Sequence, residues 1–196
     1  MDKFCKNKIS FLLSGQGSNL LSILKKNKVN KKLNIISIVS NNRISNEIKK
    51  FLYMNKMKTK VYENQLNLQN NFFNDASLIF SVGYLKNIPS SLITKFKVIN
   101  LHPSFLPKYK GLMTHKRVLI NKEKFGGFSV HIVSKYLDEG KLLSQTKYKI
   151  RTEKESKLVS AHKKMENDLV YSALIRILNQ LSTRKKETYL NFGILD

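Results

Sequence analysis

Four short apolar runs constrain this chain more than any other feature. They are ISFLL at Ile9–Leu13, LNIISIV at Leu33–Val39, SLIFSV at Ser77–Val82 and KVINL at Lys97–Leu101. The runs are near-continuous rather than alternating, which is the pattern of strands buried on both faces. Helical faces separate them. Leu20, Leu21, Ile23 and Leu24 form one before Lys25–Lys28, and Ile48, Phe51 and Leu52 form another within Ser45–Met54. Pro89–Phe96 reads as a short helix opening on Pro, and Lys58–Tyr62 as a further strand. Strands alternating with helices predict an α/β protein with a mostly parallel, doubly wound sheet.

The pattern changes from Phe128. Phe128–Val133 and Leu142–Ile150 read as two strands around a turn holding Asp138, Glu139 and Gly140, an added hairpin. Glu153–Leu181 reads as one long helix with Leu158, Met165, Leu169, Ala173, Ile177 and Leu181 in register. Glu187–Asp196 adds a small strand, while the Asn- and Gln-rich stretch Glu63–Asn74 takes no assignment. There is no internal repeat or linker, so the expectation is a single domain over 1–196.

The formal net charge of +23 raises polyanions as partners. Its make-up argues otherwise, since only five of the 36 basic residues are Arg and they do not cluster. Nucleic-acid sites favour the forked guanidinium, whereas Lys rising with Asn, Ile, Phe and Tyr is the signature of an AT-rich coding sequence. The surplus is expected to spread over a solvated surface, with no nucleic-acid partner. Cys5 is alone, which rules out an intramolecular disulfide and any zinc-type cysteine pattern. The first apolar run is too short to span a membrane, so the expectation is a soluble, cytoplasmic protein that binds no membrane.

Three places carry chemistry. Val98–Gly111, VINLHPSFLPKYKG, ends a strand with Asn100 and His102, which alternation puts on one side while Leu101 faces the other. A neutral donor beside an imidazole suits a reaction in which an oxygen gains charge and a proton moves. Equally, Asn100 can cap a turn and His102 can be satisfied by local backbone. Gly15-Gln16-Gly17-Ser18-Asn19 joins a strand to a helix, where glycines let a phosphate approach unpaired N–H groups. Leu20 stands where the dinucleotide fingerprint needs a third Gly, and Ser18 and Asn19 can instead cap the helix. Asp138 sits in a Leu-Asp-Glu-Gly turn, where a carboxylate can orient an imidazole or merely form the turn. His115, His131 and His162 read as a loop, a strand and a helix-surface residue and form no ligand cluster, so no metal is expected.

FLLSGQGSNL, NLHPSFLPKYKGLMTH and GGFSVHIVSKYLDEGKLL, in this order and spacing, resemble the phosphoribosylglycinamide formyltransferase family over about Ile9 to Leu178. The resemblance implies a Rossmann-like sheet and formyl transfer from 10-formyltetrahydrofolate to the amine of a ribotide in purine synthesis. It implies a catalytic trio of Asn100, His102 and Asp138, with Asp138 raising the His102 pKa so that a protonated imidazole meets the oxyanion. Gly17, Ser18 and Asn19 match the family's phosphate site, and Glu166 a carboxylate on the ribose hydroxyls. Leu85, Lys86, Asn87 and Ile88, with Asn100, match the folate site. Met113 and Lys86 depart from the usual His and Arg, and Lys163 from a polar amide. The implied partners are small molecules, to a monomer or homodimer.

Other readings compete. Methionyl-tRNA formyltransferase shares the central residues but normally adds a C-terminal RNA-binding domain, for which 196 residues leave no room. Formyltetrahydrofolate hydrolase needs an N-terminal regulatory domain. A decayed enzyme holding RNA through Lys would bind with strong salt dependence and transfer nothing.

Overall fold

The computed structural model describes residues 7–182 and 190–195, in two compact units, Met1–Ile99 and Asn100–Asp196. The first unit carries β1 (Lys8–Leu13), α1 (Ser18–Asn30), β2 (Asn34–Ser40), α2 (Asn46–Met54), β3 (Lys60–Tyr62), β4 (Leu78–Val82) and α3 (Ser90–Lys95). β1 pairs in parallel with β2 and β4, and β2 with β3. This is the expected parallel arrangement, and its central strand is the most apolar run. Ile9, Phe11, Leu12 and Leu13 are fully buried, each contributing roughly 1.5–3 kcal/mol by leaving water. The unassigned Glu63–Asn74 stretch holds a short 3-10 turn, Asn70–Phe73, which seats Phe73 in the core.

The α1–β2 connection is fastened by one amide. Asn27 donates from Nδ2 to the carbonyl of Leu33 and accepts from its N–H, both at 2.9 Å. α1 begins one turn-residue earlier than its apolar face suggests. Its cap is Gly17, at φ 77, with no side-chain cap bond, so Ser18 and Asn19 are helical residues rather than caps. A Cβ at Gly17 would lie 2.6 Å from Ile48 Cδ1. Positive φ and close approach both demand glycine there.

β5 (Val98–His102) leads into the second unit, which continues with α4 (Thr114–Ile120), β6 (Phe125–Ile132), β7 (Leu142–Lys149), α5 (Glu155–Ser182) and β8 (Leu190–Leu195). β6 and β7 form the expected antiparallel hairpin, and β8 pairs in parallel with β7. The first residues of the expected Glu187–Asp196 strand, and its last, lie outside the described residues.

Three differences from the sequence reading have physical causes. α4 had no counterpart, because it buries only Thr114 and Val118 and starts from Met113 in a left-handed conformation. So His115 is a helical residue and not a loop residue. β6 starts at Phe125 rather than Phe128, its opening hidden by two glycines. They are needed, since a Cβ at Gly126 would meet the Tyr148 ring at 2.6 Å and one at Gly127 the carbonyl of Thr146 at 2.5 Å. Lastly, the buried face of α5 runs through Leu158, His162, Glu166, Val170, Leu174 and Ile177, not through Met165 and Leu169. A polar pair occupies two core-facing positions and masks the stripe. His162 is 1% exposed, so it is not a surface residue. Among the described residues no helix is long and apolar enough to cross a membrane.

Candidate active site

β5 delivers its side chains in alternation. Leu101 goes into the core, while Asn100 is half-buried and His102 is buried. A turn between β6 and β7 delivers Asp138 with φ 52, a left-handed conformation that Asp tolerates. The turn is held to that shape by Gly140, whose Cβ would fall 1.6 Å from the carbonyl oxygen of Ile132. A second clamp comes from the Tyr109–Met113 segment. The N–H of Gly111 donates to Asp138 Oδ2 at 2.8 Å, and Lys110 Nζ meets Glu139 Oε1 at 2.8 Å.

The structure brings Asn100, His102 and Asp138 together, through a fourth residue. His102 Nδ1 lies 3.4 Å from Asp138 Oδ2, and His131 Nε2 lies 3.4 Å from Asp138 Oδ1. His131 Nε2 is also 3.3 Å from Asn100 Nδ2, and its Nδ1 is 2.9 Å from the carbonyl of Ile132. A carbonyl only accepts, so Nδ1 of His131 carries a proton, while Nε2 lies between the Asn100 amide and Asp138 Oδ1. His131 therefore belongs to the cluster, against the expectation of a bland strand residue. A signal was present: in FSVHIV, Ser129 and His131 are polar at period two, the mark of one strand face given over to polar work.

His102 Nε2 lies 3.0 Å from the carbonyl of Tyr109, to which it donates. Part of the alternative reading, in which local backbone satisfies His102, is thus realised. Burial pushes the His102 pKa down, and it outweighs the upward pull of the Tyr109 carbonyl and of Asp138. The expectation of an already protonated His102 is corrected accordingly, because the ring loses more hydration than the nearby carboxylate restores. Asp138 shows the opposite balance. Burial works to raise its pKa, but bonds from His131 and Gly111 and the charge of His102 hold it below the usual range.

The other expected residues fall in three places. Gly17, Ser18 and Asn19 form the cap and first turn of α1 in the first unit, with Ser18 exposed and no acidic residue in that turn. Leu85, Lys86, Asn87 and Ile88 follow β4, the first three of them exposed. One residue ties these two turns. Ser14 Oγ accepts from the Leu85 N–H at 2.9 Å, and the Ser14 carbonyl accepts from Asn42 Nδ2 at 2.7 Å. Glu166 lies buried on α5, its Oε1 2.9 Å from His162 Nε2, and its charge is felt at His102.

A strand-end Asn and His facing a buried carboxylate place polar chemistry at the end of a strand, where α/β enzymes hold their ligands. The chain belongs to the formyl transferase family, whose model matches residues 7–175. A phosphoribosylglycinamide formyltransferase of Haemophilus influenzae is 28% identical over 206 residues, covering 96% of this chain and 93% of its own. The solved phosphoribosylglycinamide formyltransferase of Coxiella burnetii matches with a TM-score of 0.72 and 26% identity, over 86% of this chain and 85% of that one. That of Anaplasma phagocytophilum matches with a TM-score of 0.79 and 22% identity, over 96% and 99%, a likeness of fold. The architecture is the formyltransferase fold.

Proposed function

We propose that the protein transfers the formyl group of 10-formyltetrahydrofolate to the amine of 5'-phosphoribosylglycinamide, in de novo purine biosynthesis, working as one formyltransferase domain. The observation that carries this reading is the buried cluster of Asn100, His131, Asp138 and His102. Both folate and ribotide are substrates that leave at the end of the cycle, and no metal takes part in the chemistry.

The amine attacks the formyl carbon. A C–N bond forms, and the carbonyl electron pair moves onto oxygen. Asn100 offers its amide N–H to that oxygen. His102 offers Nε2–H, which the developing charge draws away from the carbonyl of Tyr109. Losing one such donor costs roughly 10²–10³ in rate. A proton then passes from the new ammonium to the folate nitrogen, the old C–N bond breaks, and tetrahydrofolate leaves. Asp138 supports whatever positive charge His102 takes on during that transfer.

Gly17, Ser18 and Asn19 receive the ribotide phosphate at the start of α1, where backbone N–H groups and the helix dipole favour an anion. Glu166 receives the ribose hydroxyls. Leu85, Lys86, Asn87 and Ile88, with Asn100, line the folate site. Partners are small molecules only, the protein acts in the cytoplasm as a monomer or homodimer, and neither nucleic acid nor membrane is needed.

The test is tetrahydrofolate release from 10-formyltetrahydrofolate with and without the ribotide. Release that depends on the ribotide is expected. Release without it would replace this reading by a hydrolase, and none from folded protein would replace it by another formyl acceptor.

A further inference from the structure

β7 and α5 share a buried polar relay, of which the function proposed above uses only Glu166. Tyr148 Oη lies 2.8 Å from His162 Nδ1, and His162 Nε2 lies 2.9 Å from Glu166 Oε1. Nδ1 is hydrogen-bonded to the Tyr148 hydroxyl, while Nε2 sits at ion-pair distance from the Glu166 carboxylate without the alignment of a hydrogen bond. The ring is boxed on its faces and edges. His115 stands edge-on at 4.4 Å between centroids, and Phe128 at 5.8 Å. Gly126 makes room for the Tyr148 ring, since a Cβ there would sit 2.6 Å from its hydroxyl. His162 is 1% exposed and Glu166 6%.

A buried imidazole tied to the Tyr148 hydroxyl and enclosed by His115 and Phe128 is held in place, and it restricts in turn the carboxylate 2.9 Å away. A glutamate side chain has three rotatable bonds, and holding it in one orientation removes entropy that a ligand would otherwise have to remove. We propose that His162, set by Tyr148, is a positioning residue that presents the Glu166 carboxylate to the ribose hydroxyls of the ribotide. The inference rests on the ribose role given to Glu166 above. It assigns to this chain a specificity-bearing Tyr148–His162–Glu166 relay, and it predicts an effect on ribotide recognition and not on formyl transfer.

The experiment compares steady-state kinetics of the wild type, His162→Phe, His162→Gln, Tyr148→Phe and Glu166→Ala. Phe keeps the ring volume and removes both nitrogens, while Gln keeps a donor that can reach Glu166. His162→Phe should raise the ribotide KM about ten- to a hundredfold, the scale of losing one buried polar contact to a carboxylate. The KM for the formyl donor and kcat at saturating ribotide should stay within about twofold. His162→Gln should recover most of the loss, and Tyr148→Phe should show a smaller rise. In a Glu166→Ala background, His162→Phe should add nothing, because the partner it positions is gone. An unchanged ribotide KM in His162→Phe, or an equal fall in kcat in every variant, overturns the relay. If His162→Phe does not fold, an unchanged KM in Tyr148→Phe and His162→Gln overturns it just as well. Failure of the underlying reading looks different: Glu166→Ala itself then leaves the ribotide KM untouched.

Discussion

Asp138→Asn is the sharpest single test of the site. The substitution keeps shape and volume, and an amide oxygen can still accept the 2.8 Å bond from Gly111. What it removes is one negative charge 3.4 Å from His102 Nδ1. At an effective dielectric of about 20, unit charges at that distance attract by roughly 5 kcal/mol. Rearrangement of neighbouring dipoles leaves about 3–5 kcal/mol to be lost where His102 becomes positive, or roughly 10²–10⁴ in turnover. Burial already pushes the His102 pKa down, so without Asp138 the ring resists protonation further. Turnover is measured by tetrahydrofolate release at saturating ribotide, alongside a thermal melt. The expected result is a kcat loss in that range with ribotide KM changed far less and the melt preserved. A folded Asp138→Asn enzyme within about threefold of wild type would refute the electrostatic role.

Three further outcomes follow from the packing. Gly140→Ala should cost more than ~3 kcal/mol in urea unfolding and most of the activity, since its Cβ overlaps the Ile132 carbonyl at the turn that aims Asp138; a near-native midpoint would contradict the turn geometry. Asn27→Ala should cost about 2–4 kcal/mol by leaving the N–H and carbonyl of Leu33 unpaired, with kcat intact. His115 is held down to about pKa 4, by burial first and then by the charge of His162, against 6.5 when unfolded. The unfolded chain therefore binds a proton before the folded one does, so stability falls as pH drops from about 6.5 towards 4. The cap on this is ~3 kcal/mol, and a ring partly open to solvent brings it to roughly 1–2 kcal/mol. Melts from pH 7.5 to 4.5 should slope less in His115→Gln; identical slopes would remove His115 as the cause.

The order of strands and helices apart from α4, the parallel arrangement of the first unit, the β6–β7 hairpin and the length of α5 were legible in the chain. Each depends on local rules: continuous apolar runs of strand length, 3.6-residue faces, and Gly or Pro at the joints. The pairing of Asn100 with His102 was legible for the same reason, because strand alternation is a local geometry. The glycine turn at Gly15–Asn19 was legible as well, though its cap was Gly17 and not Ser18, a matter of which backbone could tolerate contact with Ile48.

Tertiary structure decided the rest. His131 lies 31 residues from Asn100 in sequence, and only the register of β6 puts its ring between that amide and Asp138. His162 looks like a solvated helix position until α5 packs, whereupon the Tyr148 hydroxyl and the nearby Glu166 carboxylate offset the cost of its burial. The protonation of His102 was likewise beyond the sequence, which shows the carboxylate but not the desolvation that opposes it. Short-range pattern is written in neighbouring residues. The balance between burial and partner charge exists only once distant segments enclose the same atom.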